Sequence, residues 1–210
     1  MPFSKLMSCL IFIALLVLGL GTWLGFTKIL HKIPTTTQVK LFKPWNLNSD
    51  ELDKKFKVIE TLEGDCWTAS NENPRPDAWR CRVGNRIMDP CFSSNPTAKV
   101  VACSSSPWSH KISLIQLTKP LDNSVANKAD FFNTNPWALK LKSKQKCYPI
   151  GGATQGFALM RNNYSCGSSP QELQPLLFGP VDCHAGTCQV FYYNPSQSVI
   201  VKKSVRELWY

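Results

Sequence analysis

The sequence predicts a small, mainly β domain cross-linked by disulfides, with one or two short helices, preceded by a single N-terminal transmembrane helix. Three observations support this class: a long uncharged apolar run near the start, eight cysteines in the remainder, and short apolar segments separated by turn-forming residues. The length of 210 residues allows one sizeable domain plus an anchor. The hydrophobic content of 43%, with 7 Trp and 11 Phe, excludes an intrinsically disordered chain.

The apolar run defines the first predicted segment, an N-terminal signal anchor over residues 1–32. Its uncharged part, Leu6–Phe26, contains 21 residues. As a helix it would be about 30 Å long, enough to cross the hydrocarbon core of a bilayer. A cleaved secretory signal usually has a shorter apolar region followed by an Ala-x-Ala site. Because this chain has a longer run and no such site, we expect an uncleaved anchor, with secretion after signal cleavage as the alternative.

The charges and the cysteines disagree about the side of the membrane on which the domain lies. Lys28, Lys32, Lys40 and Lys43 follow the apolar run and only Lys5 precedes it, which by the positive-inside rule places the domain in the cytoplasm. Eight cysteines instead suit an oxidising compartment, because cytosolic thiols are kept reduced. We give the cysteines more weight, since a translocated domain tolerates a few flanking charges. We therefore expect an extracytoplasmic domain, in the periplasm or at the cell surface of a bacterium.

A polar, proline-containing linker is predicted over residues 33–47 and the extracytoplasmic domain over residues 48–210. Asn48 and Glu51 have the spacing of a capping box, and the apolar residues that follow predict a short helix near 49–57. Beyond it, apolar segments alternate with Pro, Gly, Asn and Ser clusters, a pattern that indicates strands and turns. The predicted strands are Val100–Cys103, Ile112–Leu117, Ala138–Cys147, Gly156–Tyr164, Gln189–Tyr193 and Val199–Trp209.

The even number of cysteines in the domain predicts four disulfides, although sequence alone does not choose among the many possible connectivities. Structural zinc sites need closely spaced ligand pairs, and only the last two cysteines come that close. Thioredoxin-like redox chemistry needs a C-x-x-C motif, which the chain lacks. We therefore expect disulfides and neither a metal nor another cofactor. The simplest connectivity joins neighbours along the chain: Cys66–Cys81, Cys91–Cys103, Cys147–Cys166 and Cys183–Cys188.

Four lysines at alternate positions are the most distinctive local pattern. Lys140, Lys142, Lys144 and Lys146 would all project from one face if this segment is a single strand. One interpretation is an edge strand on which lysines prevent unwanted pairing. The other is a basic strip that binds anionic headgroups, envelope polymers or an acidic partner protein. The second interpretation is consistent with the 21 basic and 14 acidic residues that follow residue 32.

The sequence offers no convincing catalytic arrangement. Asp77 and Asp89 are a carboxylate pair of the kind used in glycoside hydrolysis, but both lie in turn-forming sequences. His110 and His184 are the only histidines in the predicted domain, and neither is near a nucleophile motif. We therefore expect turn-forming aspartates, surface histidines and no catalytic residue.

Several short motifs resemble a loosely defined group of uncharacterised bacterial exported proteins. The resemblance spans the predicted domain from residue 64 onward, although the last cysteine pair has no counterpart in that pattern. It implies export and disulfide formation but no activity. The motifs are Gly64-Asp65-Cys66-Trp67, Arg75-Pro76-Asp77-Ala78-Trp79-Arg80-Cys81, Gly84-Asn85, Asp89-Pro90-Cys91-Phe92, Cys103 with Pro107-Trp108, Arg161-Asn162-Asn163-Tyr164-Ser165-Cys166 and Trp209-Tyr210.

Together these features predict a non-enzymatic binding or structural module of the bacterial envelope, held at the membrane by its N-terminal helix. The expected partner is an anionic envelope component or another envelope protein. Nucleic acid is not expected, because the domain is exported and its aromatic residues do not interleave with basic ones. The alternatives are an exported hydrolase acting on envelope polymers, or an accessory subunit of an envelope-spanning complex with an exposed apolar face.

Overall fold

The computed structural model describes residues 36–46, 50–128, 134–150, 156–157, 160–167 and 175–210. The predicted anchor over residues 1–32 lies outside these ranges. Within them, no helix combines the length and the apolar composition that a membrane span requires. The chain from Thr35 to Tyr210 forms one compact unit.

Strands dominate the described residues, which confirms the prediction of a mainly β domain. The one helical element in these ranges is a 3₁₀ turn at Asn123–Val125, capped by the side chain of Asp122. The strands are β1 Gln38–Lys40, β2 Lys57–Ala69, β3 Ala78–Val83, β4 Arg86–Ser93, β5 Val100–Cys103, β6 Lys111–Leu117, β7 Ala138–Leu141, β8 Lys146–Pro149, β9 Gly156–Phe157, β10 Met160–Ser165, β11 Leu176–His184, β12 Thr187–Asn194 and β13 Val199–Trp209.

The prediction of a helix near residues 49–57 is wrong for residues 50–57, the part of this segment that the structure describes. Trp45 and Leu52 instead form an isolated antiparallel bridge, and the Asp53 amide donates to the Pro44 carbonyl at 2.8 Å. A turn then leads directly into β2. The physical reason is packing, because the extended arrangement lets Trp45 and Leu52 contact the same buried cluster.

The first half of the domain is a five-stranded closed barrel, β2–β6. Successive strands are antiparallel neighbours, and the barrel closes by parallel pairing of β6 with β2, from Lys57 opposite Lys111 to Gly64 opposite Leu117. Trp79, Val101 and Ile115 fill its interior together with four cysteines. Gly64 allows a close approach to β3: a Cβ there would lie 2.3 Å from the Arg82 carbonyl oxygen. That approach explains why a residue with a side chain would not fit at this position.

The second half is a ring of antiparallel strands in the order β13-β12-β11-β10-β8-β7, which closes where β7 pairs with β13. β1 adds to β13 in parallel register, with Gln38 opposite Glu207, and β9 pairs with β10. Thus β1 and the buried Phe42 belong to the domain, although the linker was predicted to extend to residue 47. Inside the ring, buried side chains such as Leu139, Tyr164 and Val205 form a separate core.

A third buried cluster joins the two halves. Phe42 is in ring contact with Phe92 of the barrel (5.1 Å between centroids) and with Trp137 (5.3 Å). Arg75 is buried in the same region, where its guanidinium lies 5.2 Å from the centroid of the Phe92 ring. Trp209 packs against this cluster while remaining partly exposed. The contact between the halves is therefore mainly aromatic.

Several predicted strands agree with the structure, and one is wrong in an informative way. β5 has the predicted bounds and so does β13, while β6 and β12 each extend beyond the prediction. The segment Gly156–Tyr164 corresponds to β9 and β10, separated by residues 158–159, which lie outside the described part. The segment Ala138–Cys147 is not one strand but two, β7 and β8, because the chain turns at residues 142–145. Lys144 adopts a positive φ of 72°, which reverses the chain direction.

The prediction of four disulfides is confirmed, and so is the pairing of neighbours along the chain. Three bonds join adjacent strands, β2–β3, β4–β5 and β11–β12. The other joins Cys147 of β8 to Cys166, the residue that follows the neighbouring strand β10. Such bonds suit an oxidising, extracytoplasmic environment. In the described residues, no group of three or more His, Cys, Asp or Glu side chains is arranged to hold a metal ion.

Candidate functional site

The four predicted lysines lie on a β-hairpin, residues 140–146, which we name the lysine hairpin. Lys140 on β7 is directly opposite Lys146 on β8. The turn between them is closed by hydrogen bonds from the Lys144 amide to the Leu141 carbonyl and from the Leu141 amide to the Gln145 carbonyl, both 2.9 Å. The expectation of four side chains on one strand face is therefore wrong, because this turn interrupts the alternation. The hairpin still places all four lysines within one short loop and its two strand ends.

Lys140 of the hairpin has an acidic partner on a neighbouring strand. Its Nζ lies 3.9 Å from Oε1 of Glu207 on β13, and the same oxygen lies 3.2 Å from Lys40 Nζ and 3.8 Å from Arg206 Nε. Burial, the largest influence on Glu207, opposes its ionisation, but the hydrogen bond and charge of Lys40, with smaller contributions from Trp209 and Lys140, hold its pKa below the ordinary value. Three cations thus share one buried carboxylate. Positive charge consequently remains in excess here.

Lys146 lies over an aromatic surface that links the two halves of the domain. Its Nζ is 5.2 Å from the Trp108 ring centroid, a distance at which a cation is attracted to the ring. Trp108 in turn meets Tyr148 at 5.4 Å and Trp209 at 6.1 Å between centroids, both edge to face. Neither Lys144 nor Lys146 has an acidic group within 4 Å among the described residues, and both are exposed. Their charges are available to a partner.

The residues considered for catalysis lie in different places. Asp77 accepts two hydrogen bonds from the Arg75 guanidinium, one of them 2.8 Å from Nε. Asp89 accepts from the Ser70 hydroxyl and from the Asn71 amide. His110 is exposed in the loop before β6, and His184 is exposed at the β11–β12 turn. Asp77 lies in a turn, as expected. The expectation is wrong for Asp89, which lies within β4 and accepts from the loop that follows β2. Both histidines are surface residues.

Asp89 has an acidic neighbour that sequence reasoning missed, Glu72. Burial first, and the nearby Asp89 charge second, raise the pKa of Glu72 to about 7, although Arg80 acts in the opposite direction. Burial also raises the pKa of Asp89, partly offset by its hydrogen bonds from Ser70 and Asn71 and by the Arg80 charge. This electrostatic coupling depends on contacts between distant segments, so no local sequence signal indicates it.

The Glu72 environment predicts that stability falls as the pH rises from about 4.5 to about 7, because the folded state retains a proton that the unfolded chain releases. Above about pH 7 the stability that the retained proton provides is fully lost. Glu72→Gln, which does not titrate, should therefore be more stable than the parent by about 1–3 kcal/mol at pH 8 and similar to it at pH 4.5. Denaturant unfolding at the two pH values measures this. Glu63→Gln, at an exposed position of β2, is the matched control; an equal gain in both variants would contradict the assignment.

A cleft of about 510 Å³ lies at one end of the barrel, and no sequence pattern indicates it. Arg86 donates to Glu60 across it, and the Ser113 hydroxyl donates to the same carboxylate at 2.7 Å. These hydrogen bonds, that of Arg86 first, lower the pKa of Glu60. Asp89 also lines the cleft, whereas Asp77 and His110 do not. The lining residues are Ile59, Glu60, Arg86, Ile87, Met88, Asp89, Pro90, Cys103, Ser104, Ser105, Ser109, Lys111 and Ser113.

No protein-family model matches the chain, and no curated protein or solved structure is significantly similar to it. Its function is therefore argued from two features of its own structure, the lysine hairpin and the barrel-end cleft. The hairpin offers exposed positive charge beside an aromatic surface. The cleft combines apolar side chains with serine hydroxyls and charged groups.

Proposed function

We propose that the protein is a membrane-anchored, extracytoplasmic module of a bacterial envelope that binds an anionic envelope component through the lysine hairpin, without catalysing a reaction. The observation that carries this proposal is the pair of exposed cations, Lys144 and Lys146, that have no acidic partner among the described residues. Like charges held close together repel one another, so a bound anion would relieve an unfavourable interaction.

The rest of the hairpin supports the same function. Lys140 and Lys146 face each other across the two strands. The Glu207 carboxylate, which lies within ion-pair distance of Lys140, is shared with Lys40 and Arg206. The backbone amide of Lys142 donates to the Ser204 carbonyl of β13 at 3.0 Å, which fixes the hairpin to the ring. A rigid attachment reduces the entropy that binding would otherwise cost. The scattered positions of Asp77, Asp89 and His110 favour binding over hydrolysis.

Charge reversal at the two exposed lysines tests the proposal. The full chain would be placed in zwitterionic nanodiscs and titrated with fluorescent poly(glycerol phosphate), a soluble model of an anionic envelope polymer. Lys144→Glu with Lys146→Glu should weaken binding roughly tenfold or more at low salt, since a basic residue near an anionic surface contributes about 1 kcal/mol. The salt dependence of the remaining binding should become less steep.

Lys54→Glu with Lys119→Glu is the matched control, because it makes the same change in net charge at exposed positions of the barrel half. Retention of parental affinity in this control, with loss in the hairpin variant, would support the hairpin as the site. Equal losses in both variants would mean that only net charge matters. Unchanged binding in the hairpin variant would exclude the hairpin as the contact surface.

A further inference from the structure

The barrel-end cleft lies where one strand of the barrel stops short. β5 has four residues and pairs with β4 only from Cys91 to Ser93. Its pairing with β6 ends where Cys103 faces Ser113. Beyond that point the chain leaves through a serine-containing loop. The part of β4 from Arg86 to Asp89 is paired with β3 on one edge and lacks β5 on the other. Among the described strands, none pairs with this edge of β4 from Arg86 to Asp89.

The cleft therefore has the position of a missing continuation of β5. On one side lies the unpaired edge of β4, and on the other lies the start of β6, represented in the lining by Lys111 and Ser113. The free edge of four to five residues corresponds to about 15 Å of extended chain. The volume of about 510 Å³ is in the range of sites that hold a ligand. An unpaired strand edge offers amides and carbonyls to which another strand can bond.

The side chains around the cleft indicate which kind of strand would bind. Ile59 and Ile87, at its rim, are 55% and 52% exposed, and they are among the most exposed large apolar residues of the described chain. Arg86 and Glu60 neutralise each other. Lys111 has no acidic partner within 4 Å among the described residues, and it lies in register with Lys57 of β2. Asp89, which also lines the cleft, is 9% exposed and lies 3.9 Å from Arg80 Nε. The exposed surface is thus apolar, and Lys111 leaves an excess of positive charge at one end.

We infer that the barrel-end cleft binds an extended, acidic and apolar peptide segment of a partner protein, which adds as a strand along the free edge of β4. Backbone hydrogen bonds to β4 supply affinity, as in other cases of strand addition. Apolar side chains at alternate positions of the peptide contact Ile59 and Ile87. A carboxylate on the peptide pairs with Lys111 and relieves its repulsion with Lys57. This site is separate from the lysine hairpin and does not depend on the function proposed for it.

The test uses the full chain in zwitterionic nanodiscs and blocked, fluorescent pentapeptides. The probes are VTVTE and its reversed sequence ETVTV, since strand direction is open, together with the versions in which lysine replaces glutamate. The glutamate peptides should bind in at least one direction, and the lysine peptides should bind at least tenfold more weakly. Versions N-methylated at alternate residues keep every side chain but lose strand hydrogen bonds, so they should not bind.

Variants of the protein locate the site. Lys111→Glu should weaken binding of the glutamate peptide at least tenfold and improve binding of the lysine peptide. Lys119→Glu, the matched exposed control, and Lys144→Glu with Lys146→Glu in the hairpin should leave peptide affinity unchanged. Thermal unfolding of each variant establishes that it is folded.

Three results would overturn the inference. The first is the absence of binding by either glutamate peptide, and the second is equal binding by the N-methylated versions. The third is a concentration-dependent dimer that Ile87→Asp abolishes, which would assign the free edge to a second copy of the chain. If the hairpin variant loses polymer binding but keeps peptide binding, the result would support the cleft as the peptide site. It would also show that the two sites bind independently.

Discussion

A chain that lacks residues 205–210 should fail to fold into a stable domain. Val205, Leu208 and Tyr210 are buried in the core of the second half. Burial of three such side chains contributes about 5–9 kcal/mol, which is comparable to the whole stability of a typical domain. The deletion also removes the second half of β13, which pairs with both β1 and β7. Circular dichroism during heating measures the result, and an unchanged thermal midpoint would contradict it.

A milder pair of substitutions tests the same strand without deleting it. Val205→Thr introduces a hydroxyl at a fully buried position, whereas Val201→Thr makes the same change where the side chain is 40% exposed. Val205→Thr should lower the free energy of unfolding by about 1–3 kcal/mol, because the buried hydroxyl has no hydrogen-bond partner prepared for it. The second should change stability by less than about 0.5 kcal/mol. Equal losses of stability in Val205→Thr and Val201→Thr would contradict the prediction that the second half of β13 contributes more to the core than the first half.

Arg75→Met should destabilise the domain by about 2–4 kcal/mol, because it breaks a charged pair in which Arg75 is buried and Asp77 is 34% exposed, and also removes a buried hydrogen bond. The Arg75 guanidinium binds the Asp77 carboxylate through two nitrogens and donates to the Phe42 carbonyl, and it lies 3.4 Å from the Tyr210 backbone oxygen. It also lies over the Phe92 ring. One side chain therefore connects a barrel loop with the residues that follow β1 and β13. Denaturant unfolding measures the loss.

Arg82→Met is the control for this prediction. Arg82 is 59% exposed and lies 3.6 Å from Asp65, so loss of that pair should cost less than about 1 kcal/mol. Arg75→Lys should not restore stability, because an ammonium group does not reproduce the two-nitrogen contact with Asp77. Adding Asp77→Asn to Arg75→Met should cost less than the two separate losses combined, since both remove the same interaction. An Arg75→Met variant as stable as Arg82→Met would refute this role.

The features predicted correctly from the sequence are those fixed by short stretches of chain. The disulfide pairing followed from distance along the chain because three of the four bonds join consecutive strands in hairpins or meanders, where neighbours in sequence are neighbours in space. β13 was predicted with the right bounds because its apolar residues are bordered by a clear turn. The predicted strand at residues 138–147 failed because a lysine, Lys144, occupies a left-handed position that glycine or asparagine would have signalled.

The candidate sites were harder to predict because they depend on tertiary structure. β2 was missed because many of its residues before Gly64 are charged or polar and exposed, which weakens the alternation that identifies a strand. The cleft arises from the shortness of β5 relative to β4, a relation that only strand pairing reveals. The pKa of Glu72 depends first on its burial and then on its proximity to Asp89, from a different part of the barrel. The four lysines were expected on one strand face, and that geometry was wrong because the chain turns at residues 142–145.

The cross-links have a consequence for the order in which the protein matures. Every bonded pair is separated by no more than 19 positions along the chain, and no pair encloses another. For a polypeptide that leaves a translocation channel from its amino end, each thiol therefore meets its correct partner before the next pair emerges. An oxidase that joins the eight thiols from Cys66 onward in order of appearance would produce the native set directly, without later shuffling by an isomerase.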